Sequence, residues 1–233
     1  MPATLSLNAC LLACMALLAA CTRPLAPQEH DFAMAFHGAA LDTRSVRLNR
    51  GTLIGGITRQ RPPRPQIACR ERIGPPETGP SVTTSTAAFV LFETIFISRP
   101  WWRENYLRDW PRKLRLSDAM LLAHELTHVW QWQQRGTTGY SPLAAAAEHR
   151  PGGDPYLFEI VPGRRFLDFP YEQQAALLEE YVCCRTLAPD GARTERLRAL
   201  LAPHFPPLRR PEALPAARVI LPYPQADLED VCA

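Results

Sequence analysis

Residues 118–135 read DAMLLAHELTHVWQWQQR, and the five at their centre, His124-Glu125-Leu126-Thr127-His128, decide how the rest of the chain is read. On an α-helix, residues four apart stand one above the other on the same face, so the imidazoles of His124 and His128 can converge on one ion. Glu125, beside the first histidine, is placed to orient a water at that ion and take its proton. Helix signals flank the stretch: Ser117 as N-cap, Asp118 in the first turn, and Gly136 just past the end as a C′ residue. A helix from Asp118 to Arg135 is therefore expected. At ordinary residue frequencies the pattern His-Glu-x-x-His turns up in about one chain per hundred of this length, and more rarely in mid-helix. A zinc site is expected over two histidines merely satisfied within a core.

Zinc needs a third protein ligand. Gln131 and Gln134 stand where the longer HExxHxxGxxH pattern has its glycine and third histidine, which excludes the metzincin arrangement. A second helix is expected from near Asp168 and Pro170 to about Thr186. Glu172, in Tyr171-Glu172-Gln173-Gln174-Ala175, lies at its start and is the candidate ligand, with Glu179 and Glu180 as competitors. Seven residues on from Glu172 the helix returns close to the same face, so Glu179 is expected beneath Glu172 in a supporting place. Glu180 is rotated somewhat away, and for this acidic pair a solvated helix face weighs evenly against a role near a ligand histidine. Tyr140, His149, Tyr156 and Tyr171 are the candidates for stabilising an oxyanion, and the sequence does not choose among them.

Around these helices the pattern is shorter and more broken. Residues 87–98, AAFVLFETIFIS, are rich in β-branched and aromatic side chains and read as one strand buried on both faces. Ser45 to Leu48 and Thr52 to Thr58 read as short strands about an Asn49-Arg50-Gly51 turn, with extended backbone at Arg61 to Pro65 and a loop to Ser81. Trp101, Trp102, Tyr106 and Trp110 are expected to pack in or beside the core rather than form a membrane belt. A third helix covers Ala192 to Leu201, and past Pro203 only a short strand at Ala217 to Leu221 interrupts irregular chain.

The length, 233 residues, suits one domain, and 46% hydrophobic with 21% charged residues is ordinary for a packed one, so the 24 prolines signal long connections rather than disorder. A net charge of +3 with both signs interspersed excludes nucleic acid as a partner. The apolar run Ala9 to Ala20 is too short for a membrane span and has the length of a signal peptide, although no Lys or Arg precedes it. It ends in Leu18-Ala19-Ala20-Cys21, which resembles the bacterial lipobox and implies acylation of Cys21. The expected division is a signal peptide over 1–20, an anchor and polar tether over 21–30, and one domain over 31–233. Location follows as a Gram-negative envelope, with the outer membrane favoured because Thr22 rather than Asp follows Cys21. Cys69, Cys183, Cys184 and Cys232 remain for up to two disulfides, whose pairing is open except that adjacent Cys183 and Cys184 need separate distant partners.

His124 to Gln131, HELTHVWQ, together with YEQQA at 171–175, resembles the gluzincin-like bacterial metallopeptidases found beside secretion and contractile-injection genes. That resemblance implies an α+β, zincin-like fold, in which a small mixed sheet packs on the HExxH helix and on a second helix bearing the glutamate ligand. It also implies zinc as cofactor, a peptide or protein substrate lying beside the sheet strand, and a partner in the secretion system or cell envelope. In the family an acidic residue one turn after the glutamate often supports a ligand histidine; here Ala176 stands there. Two other readings compete: a lipid-anchored binding or assembly protein with a structural or degenerate zinc site, and a zinc amidase acting on cell-wall peptides.

Overall fold

The computed structural model describes residues 22–51, 53–150, 153–211 and 218–233, and Cys21 with the apolar run before it lies outside them. The strands are short: β1 (Thr22–Arg23), β2 (Arg47–Arg50), β3 (Thr58–Arg61), β4 (Val82–Ser85), β5 (Ala88–Leu91), β6 (Thr94–Ile97), β7 (Lys113–Arg115) and β8 (Arg218–Ile220). They form a four-stranded mixed sheet in the order β1-β2-β6-β5, with β2 and β6 parallel, and the two-stranded pairs β3-β4 and β7-β8. The helices are α1 (Pro27–Phe36), α2 (Cys69–Arg72), α3 (Leu116–Gln133), α4 (Arg135–Thr138), α5 (Pro142–Ala146), α6 (Tyr171–Leu187) and α7 (Ala192–Leu201). The class is mixed α+β.

Residues 87–98 are not one strand. They fold into the β5-β6 hairpin, Leu91 facing Thr94 across a two-residue turn in which Phe92 adopts φ 59° and Glu93 breaks the apolar run. Burial on both faces is corrected with it: Val90, Ile95 and Ile97 enter the core, while Leu91 and Phe92 are exposed. Similarly, within the strand expected at Thr52 to Thr58, whose first residue lies outside the described ones, the chain makes a 3-10 turn at Leu53–Gly56; β3 begins at Thr58 and pairs with β4, just past the region read as loop, and α2 lies within that region. In the first case the chain pairs with itself across the Phe92-Glu93 turn, and in the second the partner strand lies more than twenty residues away.

Residues 22–30 are not a free tether. Thr22 pairs with Asn49 and Arg23 with Leu48, and Pro27 opens α1. Glu29 is fully buried and accepts from both Arg23 nitrogens (2.6 and 2.8 Å), from Ala26 N and from Tyr106 N (both 2.8 Å). A buried carboxylate is tolerable only with such a complete set of donors. Trp102 lies under the Arg23 guanidinium, Tyr106 is buried, and Trp110 meets the ring of Phe32 edge-on, so this aromatic group packs as expected, with Trp101 the exposed member.

Helix α3 starts at Leu116, directly after β7, with Arg115 at the N-cap position and no side-chain cap, so Ser117 is its second residue rather than its cap. Strand β7 fixes the entry of the chain in the cap's stead. Gly136 falls within α4, and the left-handed glycine that ends this region is Gly139, at φ 68°. Most of α3 is buried, because apolar side chains surround it and α6 packs along it. Helix α6 runs close to its expected span, α7 matches it, and β8 lies within the expected strand.

Two disulfides fasten α6 to distant chain: Cys69–Cys183 and Cys184–Cys232. Successive helical residues point about 100° apart, which is how adjacent cysteines reach partners on two sides. Among the described residues no helix is long and apolar enough to cross a membrane.

Candidate metal centre

Helix α3 supplies His124 and His128, and α6 supplies Glu172. Their three inward atoms form a triangle: Nε2 of His124 to Nε2 of His128 is 3.3 Å, and Oε2 of Glu172 is 3.3 Å from each. All three residues are buried.

The outer partners fix what those atoms carry. His124 Nδ1 donates to Glu179 Oε2 at 3.0 Å. His128 Nδ1 donates to Gln131 Oε1 at 2.7 Å, since Gln131 Nε2 is itself spent donating to Tyr171 O and Gln174 Oε1. With each ring proton on Nδ1, both Nε2 atoms present lone pairs. In the neutral rings two imidazole lone pairs and a carboxylate oxygen thus face one another, a place that a proton on His124 Nε2 takes without metal and that a metal cation completes. Tetrahedral zinc with ligands at about 2.0–2.1 Å requires ligand atoms about 3.3 Å apart, which the triangle meets. Cys69, Cys184 and Cys232 also cluster, but their sulfurs are consumed in disulfides.

Glu172 is aimed by its surroundings. Its Oε1 accepts from His149 Nε2 at 3.0 Å, leaving Oε2 to the triangle. The backbone N–H groups of Tyr171 and Glu172 donate to the Glu148 carboxylate at 2.8 and 2.9 Å, so Glu148 takes the first orphan donors of α6 and fixes where Glu172 begins. Burial opposes the charge of Glu172, yet His128, His124 and His149 outweigh it and hold its carboxyl well below the usual range. Burial likewise opposes a charged His124, but Glu172 and Glu179 push it up to about 10 without metal, the mark of a site that attracts positive charge. Glu125 faces the same space; burial pushes its carboxyl up against the pull of His124 and His128, and its Oε2 has no partner among the described residues.

The other candidates separate by their contacts. Glu179 takes the supporting place near a ligand histidine that was weighed for it: it lies against His124, which stands between the two glutamates. Glu180 is not at the site: it accepts from Cys69 N at 3.0 Å and Arg193 Nε at 2.6 Å, on another face of α6. Tyr171 is excluded as an oxyanion donor, since its hydroxyl donates to Gly139 O at 2.8 Å. His149 is likewise occupied with Glu172 and acts on the ligand. Tyr156 and Tyr140 remain, with rings 5.6 Å from His124 and 6.1 Å from His128. Burial, with Glu172 and Glu125 nearby, raises both phenols above their ordinary value, so each keeps its proton to donate.

Sequence reasoning missed Gln131, Glu148 and Arg70, whose Nη1 stands 3.4 Å from the Glu179 oxygen that His124 uses. Gln131 had a signal, standing three residues after His128 on the same helical face. The other two come from separate segments and had none.

No protein-family model matches the chain, and no curated protein matches it, so the resemblance read from HELTHVWQ and YEQQA has no counterpart there. Among solved structures the chain is similar to the effector domain of Pseudomonas aeruginosa VgrG2b, at 19% identity and a TM-score of 0.47, over 79% of this chain and 82% of that one.

Proposed function

We propose that this chain is a zinc-dependent hydrolase of peptide bonds, with His124, His128 and Glu172 as ligands and Glu125 as general base. The observation that carries the reading is the triangle of three lone pairs beside a buried carboxylate with an unpartnered oxygen. Zinc held there supplies a Lewis acid that lowers the pKa of water toward neutrality and polarises a carbonyl. Glu125 takes a proton from the attacking water and passes it to the leaving amine as the C–N bond breaks, a role suited to a carboxyl whose burial raises its proton affinity. Tyr156 and Tyr140 are placed to donate toward the oxygen that gains charge.

Three protein ligands leave a position open, which favours a catalytic over a structural metal. A zincin-like arrangement accounts for β5: it is the terminal strand of the four-stranded sheet, packs beside α3, and its outer edge can pair with an extended chain. That edge favours a peptide substrate over a compact cell-wall amide. Export and anchoring through Cys21 belong to the same reading, supported by two disulfides that suit an oxidising compartment.

The test is peptide cleavage by wild type and Glu125→Gln at matched zinc content. The amide keeps the volume but cannot accept a proton, so the rate should drop by about 10²- to 10⁴-fold with zinc retained. Equal rates would sink the mechanism.

A further inference from the structure

The four-residue helix α2 takes no part in the chemistry above, yet it reaches the metal centre. Arg70 Nη1 stands 3.4 Å from Glu179 Oε2, the same oxygen that accepts from His124 Nδ1 at 3.0 Å. The other side of the guanidinium holds Glu71 Oε1 at 2.8 Å, and the group covers the Tyr156 ring. So short a helix cannot hold itself, because nucleation costs more than a single turn returns. What fixes it is the neighbouring residue: Cys69 is bonded to Cys183, one turn beyond Glu179 on α6, and Cys69 N donates to Glu180 Oε1 at 3.0 Å.

We propose that Arg70, held in place by the Cys69–Cys183 bridge, is a positioning residue for His124, acting through Glu179, and that the metal centre reaches full affinity only with that cross-link intact. The inference rests on the reading of His124 as a ligand. An imidazole ligates through Nε2 only while Nδ1 keeps its proton and the ring plane is fixed, and a glutamate does this only if its own carboxylate cannot swing. Arg70 donates to the oxygen that His124 uses and offers no acceptor of its own, so Glu179 cannot turn away without losing both partners. Without the bridge α2 frays, and Arg70 leaves with it.

The measurement is zinc affinity of the mature chain by competition with a chromophoric chelator, with thermal unfolding of the same samples. Arg70→Gln should weaken zinc by about 10- to 100-fold, while Arg70→Lys, which keeps the charge that Glu71 and Glu179 face, should hold the metal-free melting profile and recover part of the zinc loss. Cys69→Ser with Cys183→Ser should weaken it by a similar factor, and adding Arg70→Gln to that pair should change little more, because both act through one contact. Arg70→Gln binding zinc as wild type does, or losses that add, would overturn the proposal. If the cysteine pair fails to fold, Arg70→Gln and Arg70→Lys decide it. Wild type that takes up no zinc would overturn the metal reading itself, and this proposal with it.

Discussion

Glu172 has its two oxygens assigned by its neighbours, Oε1 to His149 and Oε2 to the space shared by the two imidazoles. A carboxylate so placed neutralises part of a dication's charge, and no other acidic side chain on α6 can substitute for it: Glu179 serves the far side of His124 and Glu180 faces Arg193. Metal analysis of purified variants should find zinc lost from Glu172→Ala and kept in Glu180→Ala. The reverse result would reassign the third ligand.

At the scale of elements, α1 and α3 meet through His37, the residue that ends α1. It is fully buried, and its Nε2 donates to Thr127 Oγ1 at 3.3 Å, since the threonine hydroxyl proton goes to Ala123 O. Burial lowers its pKa to about 3, so the fold holds the ring neutral. Between about 3 and 6.5 the unfolded chain binds a proton that the folded chain refuses. Stability is therefore fully present above pH 6.5 and declines as pH falls toward 3. His204, whose pKa burial also lowers, acts in the same sense, while the raised carboxyls of Glu125, Glu180 and Asp118 act in the opposite one, so the part due to His37 is read as a difference between wild type and variant. Between pH 6.5 and 5, urea unfolding of the metal-free protein should lose about 2 kcal/mol more stability in the wild type than in His37→Asn. An unchanged slope in the variant would show that His37 is not the group responsible.

Across the whole molecule, the long prolines-and-loops region is pinned by ion pairs and cross-links rather than by regular structure. Arg61 grips Glu77 within the β3-β4 region, and Arg64 reaches Asp154 at 2.6 Å, joining that region to the loop that carries Tyr156. The C-terminal segment is held by Cys184–Cys232. A chain exported and anchored as proposed should, when extracted from membranes, give an intact mass that combines diacylated Cys21 with the loss of four hydrogens for two disulfides. A mass with Cys21 free, or with all four thiols reduced, would contradict that placement.

The helical stretch around His124 and His128, the span of α6 and the limits of α7 were legible in the sequence, because helical periodicity and ligand spacing are local properties written within about 20 residues. So was the direction of the adjacent cysteines toward separate partners. What the sequence could not decide was everything that depends on which segment comes to lie beside another. Residues 87–98 carry enough apolar character for one strand or two, and the β5-β6 pairing, with β6 laid beside β2, settled it. The choice among Tyr140, His149, Tyr156 and Tyr171, and the presence of Arg70 behind Glu179, follow from contacts between segments far apart in the chain. Such contacts are set by packing and by the need to satisfy buried polar groups, which no local pattern encodes.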